Sequence, residues 1–261
     1  MTRLQDPALT AAFDRGAAAY DTLVGVNPGY HAHLRLSARR LALPDCGAGQ
    51  RVLDLGCGTG ASTAALLREA PLAQITGVDA SAGMLARARA KHWPPGTTFV
   101  QSPVEGLAGA GVTGPFDAVF AAHLVRNTAD PDAVLATCRR LLRPGGRLAI
   151  HEYTLTGARV HRAVWSAVCR GVIVPLGATT RGGADLYRHL WRSVLDFDTA
   201  PVFRDRLLRA GFTQVRISPV TGWQRGIVHT FTARRPDLPE PGRAGKPGRA
   251  AEPGPEAEPG R

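Results

Sequence analysis

Three features together predict an α/β domain: short apolar runs alternating with amphipathic stretches, a glycine turn closing the first run, and an acid closing the second. The first run, Arg51–Leu55, passes straight into Gly56-Cys57-Gly58-Thr59-Gly60, where backbone can approach a ligand closely. The second, Gln74–Val78, ends in Asp79. The expected architecture is a doubly wound, mostly parallel sheet of seven strands, with an antiparallel C-terminal strand pair and a helical cap.

The elements follow in order. Ala8–Tyr20 has a short helical pattern with Phe13 and Tyr20 near one face, and Tyr30–Leu43 is a second helix stopped by Pro44. The βα units then run as strand Arg51–Leu55, helix Ala61–Glu69, strand Gln74–Val78, helix Ser81–Ala90 and strand Thr98–Gln101. They continue as strand Phe116–Ala121, helix Pro131–Leu142 and strand Arg147–Glu152, with Arg143-Pro144-Gly145-Gly146 reversing the chain before the last strand. From Gly157 to Thr199 helices surround an irregular turn, Pro175–Gly183, in an insertion long enough to cover a pocket. Pro201–Ala210 returns as a helix ended by Gly211, and Phe212–Ser218 with Gly226–Ala233 forms the closing pair. The chain thus divides into an N-terminal helical cap (1–43), a sheet core (44–156), a helical cap insertion (157–200) and the segment completing the core (201–235). A tail (236–261) of Pro, Gly, Ala and charge has almost no apolar anchor and is expected to be disordered.

Length and composition bound the function. A chain of 261 residues with 44% hydrophobic content builds one α/β domain with a cap. No apolar run reaches the roughly 18 residues of a spanning helix. Met1–Pro7 lacks the apolar core of a signal peptide, so a cytoplasmic location is expected. Cys46, Cys57, Cys138 and Cys169 are scattered and read as reduced thiols, and the histidines are dispersed, so no metal is expected. The net charge of +11 comes largely from arginines spread through helices, such as Arg35, Arg39, Arg40, Arg139 and Arg140. Without a basic run interleaved with aromatics, nucleic acid is not expected as a partner. Weak peripheral contact with anionic lipid head groups remains open, as does a homodimer.

The glycine turn has two readings. Gly56 to Ala61 satisfies G-x-G-x-x-G/A, and Asp79 stands near the distance expected of a ribose-binding acid, so a nicotinamide dinucleotide is one candidate. Asp54 opposes it. A carboxylate two residues before the first glycine, at the end of an apolar strand, would face a pyrophosphate across dry surroundings. S-adenosylmethionine carries a sulfonium and an ammonium group, which suit an acid there. A simpler role for Asp54, capping the following helix, stays open.

On these residues the segment resembles motif I of class I S-adenosylmethionine-dependent methyltransferases, with Asp79 as the acid of motif II. That family has a Rossmann-like fold, and the acid after its second strand holds both ribose hydroxyls, which a carboxylate's two oxygens can accept at once. The resemblance narrows to the UbiE branch, which methylates a ring carbon of ubiquinone and menaquinone precursors. Ala19-Tyr20-Asp21, Asp79 with Met84-Leu85, Leu124-Val125-Arg126-Asn127 with Asp130, Leu142–Arg147 and Asp185–Leu190 all resemble segments of that branch. Three departures stand out. Ala61 replaces an Asp, Ala122-His123 replaces a Phe-Gly, and Pro103 falls where an Asn is usual near the adenine amino group.

The resemblance implies a cofactor site of Asp54, Gly56, Cys57, Gly58, Thr59, Gly60, Asp79, Ala80, Met84, Ser102, Pro103, Val104 and Ala122. It also implies catalytic roles for Arg126, which would stabilise a phenolate, and for Tyr20; His123 and Tyr187 are further candidates to orient substrate or relay a proton. Arg126 pairing with Asp130, and His151-Glu152 packing at a sheet edge, are the plainer expectations for those residues. Trp165, Trp191 and Phe197 are expected to wall an apolar pocket. The expected function is methyl transfer to a small apolar, aromatic, prenylated or unprenylated acceptor, with a demethylmenaquinone-like ring carbon first. O-, N- or C-methylation in secondary metabolism, an NAD-dependent oxidoreductase and a non-catalytic cofactor-binding protein are the alternatives.

Overall fold

Both faces of a seven-stranded sheet are covered by helices in the computed structural model, which describes residues 6–25, 27–178 and 183–237. The strands are β1 (Arg51–Leu55), β2 (Gln74–Asp79), β3 (Thr97–Gln101), β4 (Phe116–Ala122), β5 (Leu142–Tyr153), β6 (Thr213–Pro219) and β7 (Val228–Arg234), in spatial order β3-β2-β1-β4-β5-β7-β6. The first five are parallel, and β7 runs antiparallel to both β5 and β6. The helices are α1 (Asp6–Gly25), α2 (Tyr30–Arg40), α3 (Ala61–Glu69), α4 (Ala82–Arg89), α5 (Pro131–Leu141), α6 (Arg159–Val168), α7 (Val174–Ala178), α8 (Gly183–Asp196) and α9 (Ala200–Arg209).

Strand alternation divides the core. Leu53 and Leu55 of β1, Val119 and Ala121 of β4, and Leu148 and Ile150 of β5 meet α5 and α9 through Val134, Leu135, Phe203 and Leu207. The alternate residues Val52, Ala118, Phe120 and Ala149 meet α2 and α3 through Leu34, Ala38, Ala65 and Leu66. Strands buried on both faces in this way read as continuous apolar runs, which is why β1 and β4 were visible in the sequence. Of the residues expected to form an N-terminal cap, α1 packs on α4 and α8, whereas α2 lies in the layer against α3.

Two helices extend beyond their expected ends. Helix α1 runs past Tyr20 through Asp21-Thr22-Leu23-Val24 to Gly25, where Asp21 is tied to Thr59 and Lys91. Pro175 does not begin an irregular turn. The helix continues through it to Ala178, directly after a π-helical segment, Cys169–Ile173. Proline lacks the N–H of an ordinary helical bond and crowds the carbonyl four residues back, here Gly171, which lies inside that widened segment. Residues 179–182 and the expected tail from 238 onward lie outside the described residues.

A buried polar seam joins α2 to the closing strands. Ser37 Oγ hydrogen-bonds His151 Nδ1 at 2.8 Å and Thr230 Oγ1 at 2.7 Å. His33 Nδ1 bonds Gln224 Oε1 at 2.9 Å, and His229 Nδ1 bonds Thr154 Oγ1 at 3.0 Å. Burial lowers the pKa of all three histidines, that of His151 well below its usual value. An unfolded histidine takes up a proton near pH 6.5 and these do so only at lower pH, so the unfolded chain gains protons first and stability falls with pH. Between pH 7.5 and 6.0 we expect urea denaturation to show a loss of up to about 2 kcal/mol. His151→Gln should flatten that dependence.

Candidate active site

The order of winding reverses between β1 and β4, and in open α/β sheets ligands bind in the crevice beyond the strand ends at that point. A cavity of about 490 Å³ lies there, within the range of small-molecule sites. Its floor is formed by the strand ends and the turns after them: Leu55, Gly56, Gly58, Val78, Asp79, Ala80, Ala122 and His123. Phe13 and Tyr20 of α1, Tyr30 of α2, and Leu186, Tyr187 and Leu190 of α8 contribute to the other walls.

On the glycine-turn side, Asp79 Oδ2 accepts from the Gly58 N–H at 2.8 Å and Oδ1 accepts from the Ser81 N–H at 2.9 Å. Each oxygen retains a lone pair for a further donor. Burial raises the Asp79 carboxyl, and the two backbone donors pull it back toward its usual range. Gly58 has φ 55°, and a Cβ placed on it would meet nothing within 4 Å, so the turn leaves open space above its backbone. Met84, Ser102, Pro103 and Val104 complete this side. Ser102 Oγ donates to the Pro103 carbonyl at 2.7 Å.

Asp54, Cys57, Thr59 and Gly60 are not among the described cavity walls. Asp54 shares strand parity with Val52 and so belongs to the α3 side of β1. Its Oδ2 accepts from Ser62 Oγ at 2.8 Å and Thr63 Oγ1 at 2.6 Å, while the buried Oδ1 has no hydrogen-bond partner. Burial pushes its carboxyl up to about 6 despite those hydroxyls. Cys57 is buried beneath the turn. Thr59 Oγ1 donates to Asp21 Oδ1 at 2.5 Å, and Gly60 (φ 89°) is needed because a Cβ there would strike the Trp93 ring at 2.7 Å.

Two acids latch α1 over this half of the site. Asp14 Oδ1 accepts from Ser81 Oγ at 2.5 Å and from the Gly83 N–H at 2.9 Å, at the start of α4 where a negative charge is favoured. Asp21 pairs with Lys91 Nζ at 2.8 Å. Tyr20, on the same helix, hydrogen-bonds Tyr30, and burial raises both phenols, so both are neutral.

The opposite side is organised by Glu152, a fully buried residue at the end of β5. Its Oε1 accepts from Arg126 Nε at 3.2 Å and from the Tyr153 N–H at 3.0 Å, and its Oε2 accepts from the Arg126 N–H at 3.2 Å. Burial alone would raise this carboxyl, yet Arg126 and His123 more than offset it and hold it below its usual value. His123 Nδ1 lies 3.6 Å from Oε1, beyond a formed hydrogen bond. The imidazole lies 4.8 Å from the Tyr153 ring and 5.9 Å from the Tyr30 ring, stacked on both. Its backbone has φ 56°, a region that non-glycine residues seldom occupy, and it is held there by its own N–H to His151 O and its carbonyl to Asn127 Nδ2, both 2.8 Å.

Arg126, Tyr20, His123 and Tyr187 therefore meet at one cavity. Arg126 pairs with Glu152, whereas Asp130 caps α5 by accepting from the Asp132 and Ala133 N–H groups, both at 3.0 Å. His151 and Glu152 are not at a sheet edge, because β7 and β6 lie outside β5. Trp165, Trp191 and Phe197 do not wall the cavity. Trp165 is buried against Tyr153, Trp191 packs beside it, and Phe197 packs on Phe203. The aliphatic residues Val168, Val172, Ile173, Leu176, Leu186 and Leu190 form the apolar wall instead. Sequence reasoning put Glu152 at a strand end near the pocket but gave it a packing role, and it missed Tyr30 and Tyr153. The one available signal was an acid inside the apolar run Leu148–Tyr153.

Residues 53–150 match the family model described as a methyltransferase domain. The UbiE ubiquinone/menaquinone biosynthesis C-methyltransferase of Syntrophotalea carbinolica is 34% identical over 227 residues, covering 85% of this chain and 92% of that protein. The demethylmenaquinone methyltransferase of Thermus thermophilus is 33% identical over 184 residues, covering 70% and 84%. Among solved structures, an S-adenosylmethionine-dependent methyltransferase from Thermotoga maritima superposes with a TM-score of 0.60 at 18% identity, over 87% of this chain and 99% of that one, a likeness of fold.

Removing the carboxylate would leave a buried guanidinium without its counter-charge. Glu152→Ala should cost about 3–5 kcal/mol of stability in chemical denaturation.

Proposed function

The chain belongs to the UbiE branch of class I S-adenosylmethionine-dependent methyltransferases, and from that membership we propose that it methylates a ring carbon of a small reduced quinone precursor. The observation that carries the acceptor half of this reading is the junction of Arg126, Glu152 and His123 beside an aliphatic-walled cavity. The relatives named for ubiquinone and menaquinone biosynthesis support it. Nicotinamide chemistry is not favoured, given those relatives.

The residues of the glycine-turn half fit S-adenosylmethionine. Gly58 leaves room for a ligand against its backbone, and Asp79 has a lone pair on each oxygen for a ribose hydroxyl. Met84, Ser102, Pro103 and Val104 are proposed to hold the adenine, and Gly56, Ala80 and Ala122 to line the rest. When bound, S-adenosylmethionine supplies an electrophilic methyl group on a sulfonium.

The chain's own residues do the remainder. Arg126 stabilises the ionised ring hydroxyl that makes the neighbouring carbon nucleophilic. His123, stacked on Tyr153 and Tyr30, is the base that receives the ring proton from the methylated carbon. Tyr20 and Tyr187 orient the ring through their hydroxyls. The aliphatic wall excludes water and receives whatever apolar substituent the ring carries. Alignment of this kind is worth up to about 7–11 kcal/mol in favourable systems.

Labelled methyl from S-adenosylmethionine should appear on a ring carbon of a reduced naphthoquinone; a product labelled only on oxygen would overturn the ring-carbon assignment. Arg126→Lys should lower kcat about 10²–10³-fold. By calorimetry, Asp79→Ala should weaken S-adenosylmethionine binding at least tenfold, about 1.4 kcal/mol, and unchanged affinity would remove Asp79 from the ribose.

A further inference from the structure

The cap helix turns an apolar face outward. From Arg159 to Ala178 the chain is helical throughout, as α6, the π segment and α7. Residues four apart form rows along it. In the inward row Trp165, Cys169 and Gly177 are buried. The adjacent row is Val160, Val164, Val168, Val172 and Leu176, of which Val160 is 61% exposed, Val172 58% and Leu176 45%. Beside it run exposed Ala163, Ala167, Gly171 and Pro175. An ordinary helix would rotate such a row by about 40° at each step, and the wider π turn takes part of that drift back. The π segment therefore keeps one side of the helix apolar along its whole length.

The charge on this helix has one sign. Arg159, Arg162 and Arg170 are exposed on the same helix, and no Asp or Glu occurs between Glu152 and Asp185. Val168, Val172 and Leu176 belong to the outer row and also line the cavity, so the apolar surface is continuous with the cavity wall.

We propose that this face docks on an anionic lipid bilayer. The helix lies in the head-group layer, with Val160, Val164, Val172 and Leu176 among the acyl chains and the arginines toward the phosphates. An apolar stripe with basic flanks is the pattern of interfacial helices. A second copy fits less well, because a two-fold contact sets the same patch against itself and would oppose arginines with no acid on the helix to answer them. A helix in that position opens an apolar route from the bilayer into the cavity for an acceptor with a lipid tail. The docking itself does not depend on the methyl-transfer reading.

The test is co-sedimentation of the full chain with vesicles of pure phosphatidylcholine or with one-third phosphatidylglycerol, in the absence of acceptor and cofactor. The wild type should bind the anionic vesicles at least tenfold better, and less so at high salt. Val160→Glu with Val164→Glu, at two positions outside the cavity, should lose that binding tenfold or more with unchanged thermal melting. Arg159→Gln with Arg162→Gln should remove the preference for anionic lipid. Wild-type protein left in the supernatant, or valine variants that bind as well as wild type, would overturn the proposal. So would light scattering that shows the valine variants dissociating a dimer while neither protein binds vesicles. Vesicle binding by a protein that fails to methylate any reduced quinone would leave the docking standing and remove the acceptor assignment.

Discussion

A carboxylate buried in the dry centre of a domain must be answered by its neighbours, and Glu152 is that group here. Its position at the carboxyl end of β5, one strand from the point where winding reverses, draws Arg126 inward from the turn after β4. The same oxygen draws on the Tyr153 N–H and faces His123. Three side chains with little in common in the sequence are thereby held at one wall of the cavity.

The two halves of the site are built on different principles. The glycine-turn half is backbone chemistry, in which Asp79 organises the turn by accepting from Gly58 and Ser81 and glycine leaves space for a ligand. The acceptor half is side-chain chemistry, a buried ion pair and stacked rings beneath an aliphatic roof. Helix α1 spans them, latched to α4 and the glycine turn by Asp14 and Asp21 while contributing Phe13 and Tyr20 to the cavity. Helix α1 thus joins cap and cofactor region by contacts that are individually modest.

Much of the fold was legible because central parallel strands are buried on both faces and appear as apolar runs between amphipathic helices. The end of α1 and the passage of helix through Pro175 were not legible, since the first is set by Asp21's contacts with Thr59 and Lys91 and a π segment has no sequence signature. In the site, Gly56, Gly58 and Asp79 were readable from local spacing alone. Glu152 was not, because an acid near a strand end looks like a solvated edge until β7 and β6 are seen to lie outside it. Aromatic residues in the insertion suggested a pocket wall, yet bulky rings found the cap's own core and left smaller aliphatic side chains facing the cavity.

The sequence by itself determined the strands, the glycine turn and the acid after β2, because each shows in the local pattern of apolar residues, glycines and acids. Only the tertiary structure decided which charges meet. Arg126 could have bonded its own helical neighbour Asp130, and Asp54 could have faced the ligand directly. Strand parity and strand order placed Asp54 against α3 and gave Arg126 a buried carboxylate from another strand. Burial strengthens that choice, since a charge removed from water is held by whichever opposite charge the fold brings nearest.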